Sequence, residues 1–256
     1  MIVGGHGVAA VEPELDPENL CVTPDRFRAQ LELLLSAGFR FVSVGELVRL
    51  AAGAAPPPGL AALTFDDGME NNLSVLAPIL REYALPATVF VVSGLLGQPN
   101  PWMDPRARAR MLTADELREL AAGGVEIGAH TVTHPDLSAL GEEACRREVQ
   151  GSRDTLQDVT GEPVATFAYP FFGHGPAAVG AVRAAGFSAA VTGPGHQSWK
   201  PLTLPRAMIT GVDGLTAVVA KLAGVYEPVH RSAPSAAVRA LTRRPRQRLR
   251  RRRRGA

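Results

Sequence analysis

Four side chains stand out by type and spacing. Asp66 and Asp67 are adjacent and followed by Gly68; His130 and His134 lie four residues apart, with Thr131 directly after the first. Two imidazole nitrogens and one carboxylate oxygen form a donor set for zinc, and equally for cobalt, nickel or iron. Three protein ligands leave a coordination position for water, the mark of a catalytic rather than a structural site. A bound metal draws the pKa of water from about 16 towards about 7, which supplies hydroxide at neutral pH. Adjacent residues on an extended segment point in opposite directions, so one aspartate can ligate while the other takes the proton of the attacking water. Gly68 lets the backbone turn sharply beside them.

Each piece alone has a blander reading. Asp-Asp-Gly is a common turn, and His-x-x-x-His can be one face of a helix. The zinc-protease version of that spacing needs Glu directly after the first His, and Thr131 stands there. What favours chemistry is joint placement. Leu60 to Phe65 is an apolar run that reads as a buried strand ending at Asp66, and Val125 to Ala129 reads as a strand running into His130. In parallel α/β folds the C-terminal strand ends converge on the active site, which would bring both carboxylates and both imidazoles face to face.

The rest of the chain supplies such strands in alternation with helices. Ile2–Val3, Phe39 to Val42, Ala87 to Val92, Val164 to Ala168 and Phe187 to Val191 read as strands, with another after Arg206. Between them, helices are expected after Thr23-Pro24 and Ser43, from about Leu73 to Tyr83, after Thr113 with a capping box, over Glu142 to Val159, up to Ala185, and over Leu215 to Ala223. About seven continuously apolar strands covered by helices favour a closed or nearly closed barrel over an open sheet. One such domain is expected over residues 1–228.

Composition bounds the function class. The net charge of +2 over 256 residues hides an asymmetry. Eleven arginines and no acid follow from Arg231 onward, leaving 16 basic against 25 acidic side chains in the body. An acidic body does not read as a specific nucleic-acid binder. The Arg-rich tail, 229–256, is expected to be disordered, and its charge would suit an anionic membrane surface. Cys21 and Cys145 form no disulfide or zinc-ribbon pattern. The opening residues lack a secretory pattern and no apolar run is long enough to span a bilayer. The expected location is therefore cytoplasmic, with the tail offering peripheral contact at the inner membrane face.

Thr64-Phe65-Asp66-Asp67-Gly68 and His130-Thr131-Val132-Thr133-His134-Pro135 resemble the first two motifs of the polysaccharide deacetylase family, carbohydrate esterase family 4. Phe167-Ala168-Tyr169-Pro170-Phe171-Phe172-Gly173 resembles the third in its Phe-Ala-Tyr-Pro variant, and Leu204-Pro205-Arg206 resembles the closing motif. The resemblance implies a distorted (β/α)7 barrel and metal-dependent removal of an acetyl group from an N-acetylated sugar or glycan. It implies Asp66 as general base, Asp67, His130 and His134 as metal ligands, and the backbone N–H near Phe171 as an oxyanion donor. The chain departs from the common pattern in three places, one of them Phe171-Phe172-Gly173, which is one residue longer than the usual spacing. Ala168 stands where an Arg usually orients the base, and Arg206 is expected to supply that charge. No Leu-x-His motif follows residue 190, so the general acid is sought elsewhere. His6, just past the first strand, is favoured over His196, which reads as a loop residue. Tyr169 and Trp199 could line a sugar subsite, though either reads as easily as core, the reading favoured for Tyr169; His174 and His230 receive no role. The same site would also suit an O-acetyl ester or a non-sugar amide, and a barrel that only binds glycan is the alternative outside enzymes.

Overall fold

A computed structural model describes residues 1–53, 55–195 and 199–222. His196, His230, the end of the expected barrel at 228 and the whole Arg-rich tail lie outside the described residues. Strands run in the order β1 (Ile2–Gly5), β2 (Gly7–Val8), β3 (Cys21–Val22), β4 (Arg40–Phe41), β5 (Leu60–Phe65), β6 (Thr88–Val91), β7 (Glu126–Ala129), β8 (Thr166–Ala168), β9 (Ala189–Val191) and β10 (Ala207–Met208). The α-helices are α1 (Pro24–Ser36), α2 (Val44–Ala51), α3 (Ala77–Glu82), α4 (Ala114–Ala122), α5 (Glu142–Thr160), α6 (Pro176–Ala184) and α7 (Leu215–Leu222).

Seven of the strands form one curled parallel sheet, ordered β10-β1-β5-β6-β7-β8-β9. Its two ends are tied together. The Leu204 N–H donates to the Ala190 carbonyl and the Leu204 carbonyl accepts from Thr192 N–H, both at 2.8 Å, just before the chain enters β10. This is the architecture of a distorted (β/α)7 barrel. The short β4 pairs with β5 beside the ring, and β2 pairs with β3 apart from it.

The period of two along each strand sorts the core into an inner and an outer layer. Ala61, Leu63 and Phe65 of β5 pack outward with Phe27 and Leu31 of α1, while Leu60 and Ala62 join Ile2, Phe90, Ala168, Val191 and Leu204. Continuing that parity up β5 gives Thr64 and then Asp66. In β7 it gives Glu126, Gly128 and His130, since Ile127 and Ala129 belong to the outer layer. Gly128 makes room inside: a Cβ there would lie 2.4 Å from the Phe90 ring. The sheet thus aims Asp66 and His130 at the barrel's C-terminal mouth.

Local chemistry sets the helix starts. Thr113 and Glu116 close a capping box at α4, and Ser43 accepts from the Glu46 N–H at α2. Pro24 starts α1, but the Thr23 side chain makes no cap bond. The helix expected from Leu73 differs: Asn72–Leu76 forms a wide π turn before α3. Pro78 has no N–H to give the Ser74 carbonyl, so an ordinary α ladder cannot run through this stretch. No helix among the described residues is long and apolar enough to cross a membrane.

Candidate metal and hydrolytic centre

Asp66 is buried and gripped by a guanidinium from the segment that enters β10, two strands along the sheet. Arg206 Nη1 donates to Asp66 Oδ1 and Nη2 to Oδ2, both at 2.7 Å. Arg206 also gives Nη1 to Thr64 Oγ1 at 3.1 Å and Nε to the Thr192 carbonyl at 2.9 Å, which fixes its fork. Burial pushes the Asp66 carboxyl up, but Arg206 outweighs it and holds the group well below the usual carboxylate range. Asp66 is therefore ionised at neutral pH.

Asp67 points elsewhere because its backbone is left-handed. At φ +77° it leaves the extended form assumed from sequence, and Gly68 follows at φ +78°. The two carboxylates diverge through this turn, not through a strand pleat. A non-glycine residue held so costs about 1–3 kcal/mol, typical of functional positions. Gly68 has a second constraint, since a Cβ would come within 3.0 Å of Val91 Cγ1. Burial and the neighbouring Asp66 charge push the Asp67 carboxyl well above its usual range, with Arg206 offsetting part of this.

Asp67, His130 and His134 meet as one cluster, with one ligand atom from each all within 4.8 Å of one another. His130 Nδ1 donates to the Ala168 carbonyl at 2.8 Å, so its Nε2 lone pair faces Asp67. The imidazoles are buried, which lowers His130 to about 4 and His134 to about 3. Both are neutral lone-pair donors at pH 7. His130 Nε2 and His134 Nε2 stand 3.6 and 3.5 Å from Asp67 Oδ1, too far for hydrogen bonds. Ligands roughly 2.0–2.2 Å from a tetrahedral ion lie roughly 3.3–3.6 Å apart, the spacing that both imidazoles keep from Asp67, and the donor set suits a small divalent cation. Such a cation would also reverse the balance that favours neutral Asp67.

His6 follows β1 next to this centre. The Asp66 N–H donates to the Gly5 carbonyl at 2.9 Å, and Asn72 Nδ2 donates to the His6 carbonyl at 2.9 Å, which sets the two strand ends side by side. His6 Nδ1 is shut off from solvent with no hydrogen-bond partner. Burial lowers the His6 pKa, and the Asp66 charge opposes that fall while Arg206 adds to it.

The aromatic groups divide. Phe171 is 62% exposed, sits at φ +52°, and lays its ring 4.8 Å from that of His134. The next two amides are committed, Phe172 N–H to the Tyr169 carbonyl and Gly173 N–H to the Pro170 carbonyl. Tyr169 is fully buried, with its hydroxyl on the Leu202 carbonyl at 3.0 Å, so its ring offers no face to a ligand. Trp199 packs on the inner apolar cluster with Val42 and Leu204. A second aromatic that flanks the triad, beside Phe171, is Trp102, 4.7 Å from the His134 ring and not singled out from sequence. Its loop folds back on the Asp67 turn through antiparallel bridges, Met111 to Met69 and Arg110 to Pro99. The sole sequence signal was an isolated Trp in a Pro-rich loop.

The model of the polysaccharide deacetylase family matches residues 53–190. The Bacillus subtilis protein YxkH is 23% identical over 175 residues, 68% of this chain and 59% of that one. A chitooligosaccharide deacetylase from Rhizobium leguminosarum bv. trifolii is 34% identical over 95 residues, 37% of this chain and 38% of that protein. The chain thus spans well under two thirds of these relatives' length. Among solved structures, the Streptococcus pyogenes deacetylase PplD in complex with acetate superposes with a TM-score of 0.73 at 27% identity, over 86% of this chain and 96% of that one. IcaB from Ammonifex degensii shares the fold with a TM-score of 0.73 at 23% identity, over 86% and 95%. The family model covers more than half of the sequence, and the chain belongs to the polysaccharide deacetylase family.

Proposed function

We propose that the protein is a metal-dependent hydrolase that removes the acetyl group from an N-acetylated amino sugar or glycan. The observation that carries this reading is the Asp67–His130–His134 cluster standing beside an ionised Asp66 clamped by Arg206. Zinc fits the donor set, as would cobalt, nickel or iron. When bound, the ion would polarise the acyl oxygen and acidify the attacking water.

The chain's own groups supply the rest. Asp66 accepts the proton that water loses as its oxygen bonds to the acyl carbon. Arg206 keeps that carboxylate charged and fixed in direction, at a cost in basicity. The Phe171 N–H faces the charge that develops on the acyl oxygen. When the C–N bond breaks, His6 delivers a proton to the departing amine, leaving acetate and a free amino sugar. Burial holds His6 neutral at rest, so the proton it delivers is the one that Asp66 took from water, and passing it on returns Asp66 to its ionised form. Phe171 and Trp102 flank His134 with aromatic faces against which a pyranose ring can pack.

The test joins metal analysis to an acetate-release screen over amino sugars and their lipid- or nucleotide-linked forms, with O-acetyl esters and non-sugar amides as comparison arms. Acetate release from N-acetyl sugars that stops on chelation and returns with zinc supports the reading. Full activity after metal stripping would sink it, and faster release from esters would reassign the bond. His6→Ala is expected to lower turnover ~100-fold with metal content unchanged.

A further inference from the structure

We propose that Glu148, on α5, is the positioning residue for His134, holding the ligand loop in the backbone form that turns this imidazole onto Asp67. The inference rests on the metal-site reading above. The loop after β7 has two left-handed non-glycine residues, Thr131 at φ +67° and His134 at φ +62°. Neither conformation is the relaxed one for its side chain, so something outside the loop must hold it.

Glu148 commits both carboxylate oxygens to the residues just before His134. Oε2 accepts the Val132 N–H at 2.8 Å and the Thr133 N–H at 2.9 Å. Oε1 accepts the Thr133 hydroxyl at 2.7 Å. Two successive amides aimed at one oxygen form a small nest, a geometry that suits a side-chain acceptor of this length. The buried stripe Cys145, Val149, Ser152 and Leu156 seats α5 on the barrel and brings Glu148 to the loop. One turn on, Gly151 leaves space for Val132, whose Cγ2 would lie 3.2 Å from a Cβ there.

The opposite side of the loop is held by backbone alone. Ser93 N–H donates to the Thr131 carbonyl at 3.1 Å and Gly94 N–H to the Val132 carbonyl at 2.9 Å. A Cβ on Gly94 would lie 2.5 Å from that carbonyl oxygen, so the approach requires glycine. Within the loop, Thr131 Oγ1 accepts the His134 N–H at 3.0 Å. With the carbonyls pinned from one side, the amides from the other and His134 tied back to Thr131, the imidazole direction follows. Glu148 is the one charged contact in that set.

Zinc affinity of the metal-stripped full chain, measured by competition with a chromophoric chelator, tests this. Glu148→Ala is expected to bind zinc ~10–100-fold more weakly than wild type. Glu148→Gln should stay close to wild type, because its amide oxygen can accept both N–H groups and its NH₂ can donate to the Thr133 hydroxyl. His134→Ala is the control and should bind far more weakly. Wild-type affinity in Glu148→Ala, with or without a lower melting temperature, beside weak binding in His134→Ala, would overturn the positioning role and leave the metal site standing. Wild-type affinity in His134→Ala would overturn both. Should Glu148→Ala fail to fold by circular dichroism, Glu148→Asp replaces it. Its carboxylate is one methylene short of the nest, so it should show the same loss, and unchanged affinity there would equally overturn the role.

Discussion

The barrel's interior holds a carboxylate near each end, and the two are satisfied by opposite means. At the C-terminal mouth Asp66 faces a guanidinium with two bonds of 2.7 Å. Towards the N-terminal end, two rungs below His130 on the same face of β7, Glu126 takes its hydrogen bonds among the described residues from neutral donors. They are Thr88 Oγ1 at 2.7 Å, the Gly45 N–H at 3.1 Å from the first turn of α2, and Thr166 Oγ1 at 3.4 Å. A helix N-terminus and hydroxyls stabilise an anion without presenting another charge. A buried ion pair holds full charge in a dry site, where it adds little net stability but can polarise a reacting group. The difference separates an end built for chemistry from an end built to hold the sheet together.

Removing the positive charge at the mouth should do the most damage. Arg206→Met leaves Asp66 buried and unpaired, with an expected stability loss of about 3–5 kcal/mol by urea denaturation at pH 7 and metal-free. Acetate release should fall ~100-fold or more; full activity would detach Arg206 from the base. The sign of the pH dependence follows from the causes. In wild type Arg206 depresses the Asp66 pKa, so the pair's contribution is present above the unfolded value and is lost only as pH falls through the lower folded value. In the variant burial, the largest influence, is opposed only by the weaker pull of His130 and His6, so that pKa rises and Asp66 takes up a proton as pH falls. The stability gap between the two proteins should therefore narrow from pH 7 to pH 4.5. A gap that widens contradicts the assignment of Arg206 as the group that keeps Asp66 charged.

Between the two ends, Gly128→Ala probes the packing that both share. The added methyl would press on the Phe90 ring and on Thr166 Oγ1, 2.8 Å away, and should cost about 1–3 kcal/mol with a lower melting temperature. Smallest is Glu126→Gln. An amide can accept from the α2 N–H and donate to a threonine hydroxyl, so the loss should be about 1 kcal/mol, with acetate release unchanged. A loss of turnover at constant stability would mean that the two ends are coupled and the contrast between them is wrong.

Much of the scaffold could be read along the chain. The run Leu60 to Phe65 and the approach to His130 appear as strands where expected, and the capping box at Thr113 starts α4. These features are local, set by period-two burial and by side chains within three residues of the backbone they cap. The stretch from Leu73 was harder, because the effect of Pro78 on a helix depends on which carbonyl it would have faced. Trp199 was open between core and a sugar subsite for a related reason: an aromatic's partners lie across the fold, and here they are the inner apolar cluster. Trp102 went unnoticed because its place beside His134 is made by a loop bridging back to Met69 and Pro99.

The sequence by itself determined the kind of chemistry. An acid pair, two imidazoles four apart and a strand before each are facts of order and type, and in a parallel barrel they converge on one mouth. Only the tertiary structure decided how those groups are divided. The left-handed turn at Asp67 parts it from Asp66, and Arg206, named by the family resemblance, acquires its two-pronged grip on Asp66 from 140 residues away through the register of β1, β5 and β10. Glu148 meets the ligand loop from a helix whose seating depends on the whole core. Each of these is a long-range geometric outcome, fixed by how layers pack, and no spacing along one chain encodes it directly.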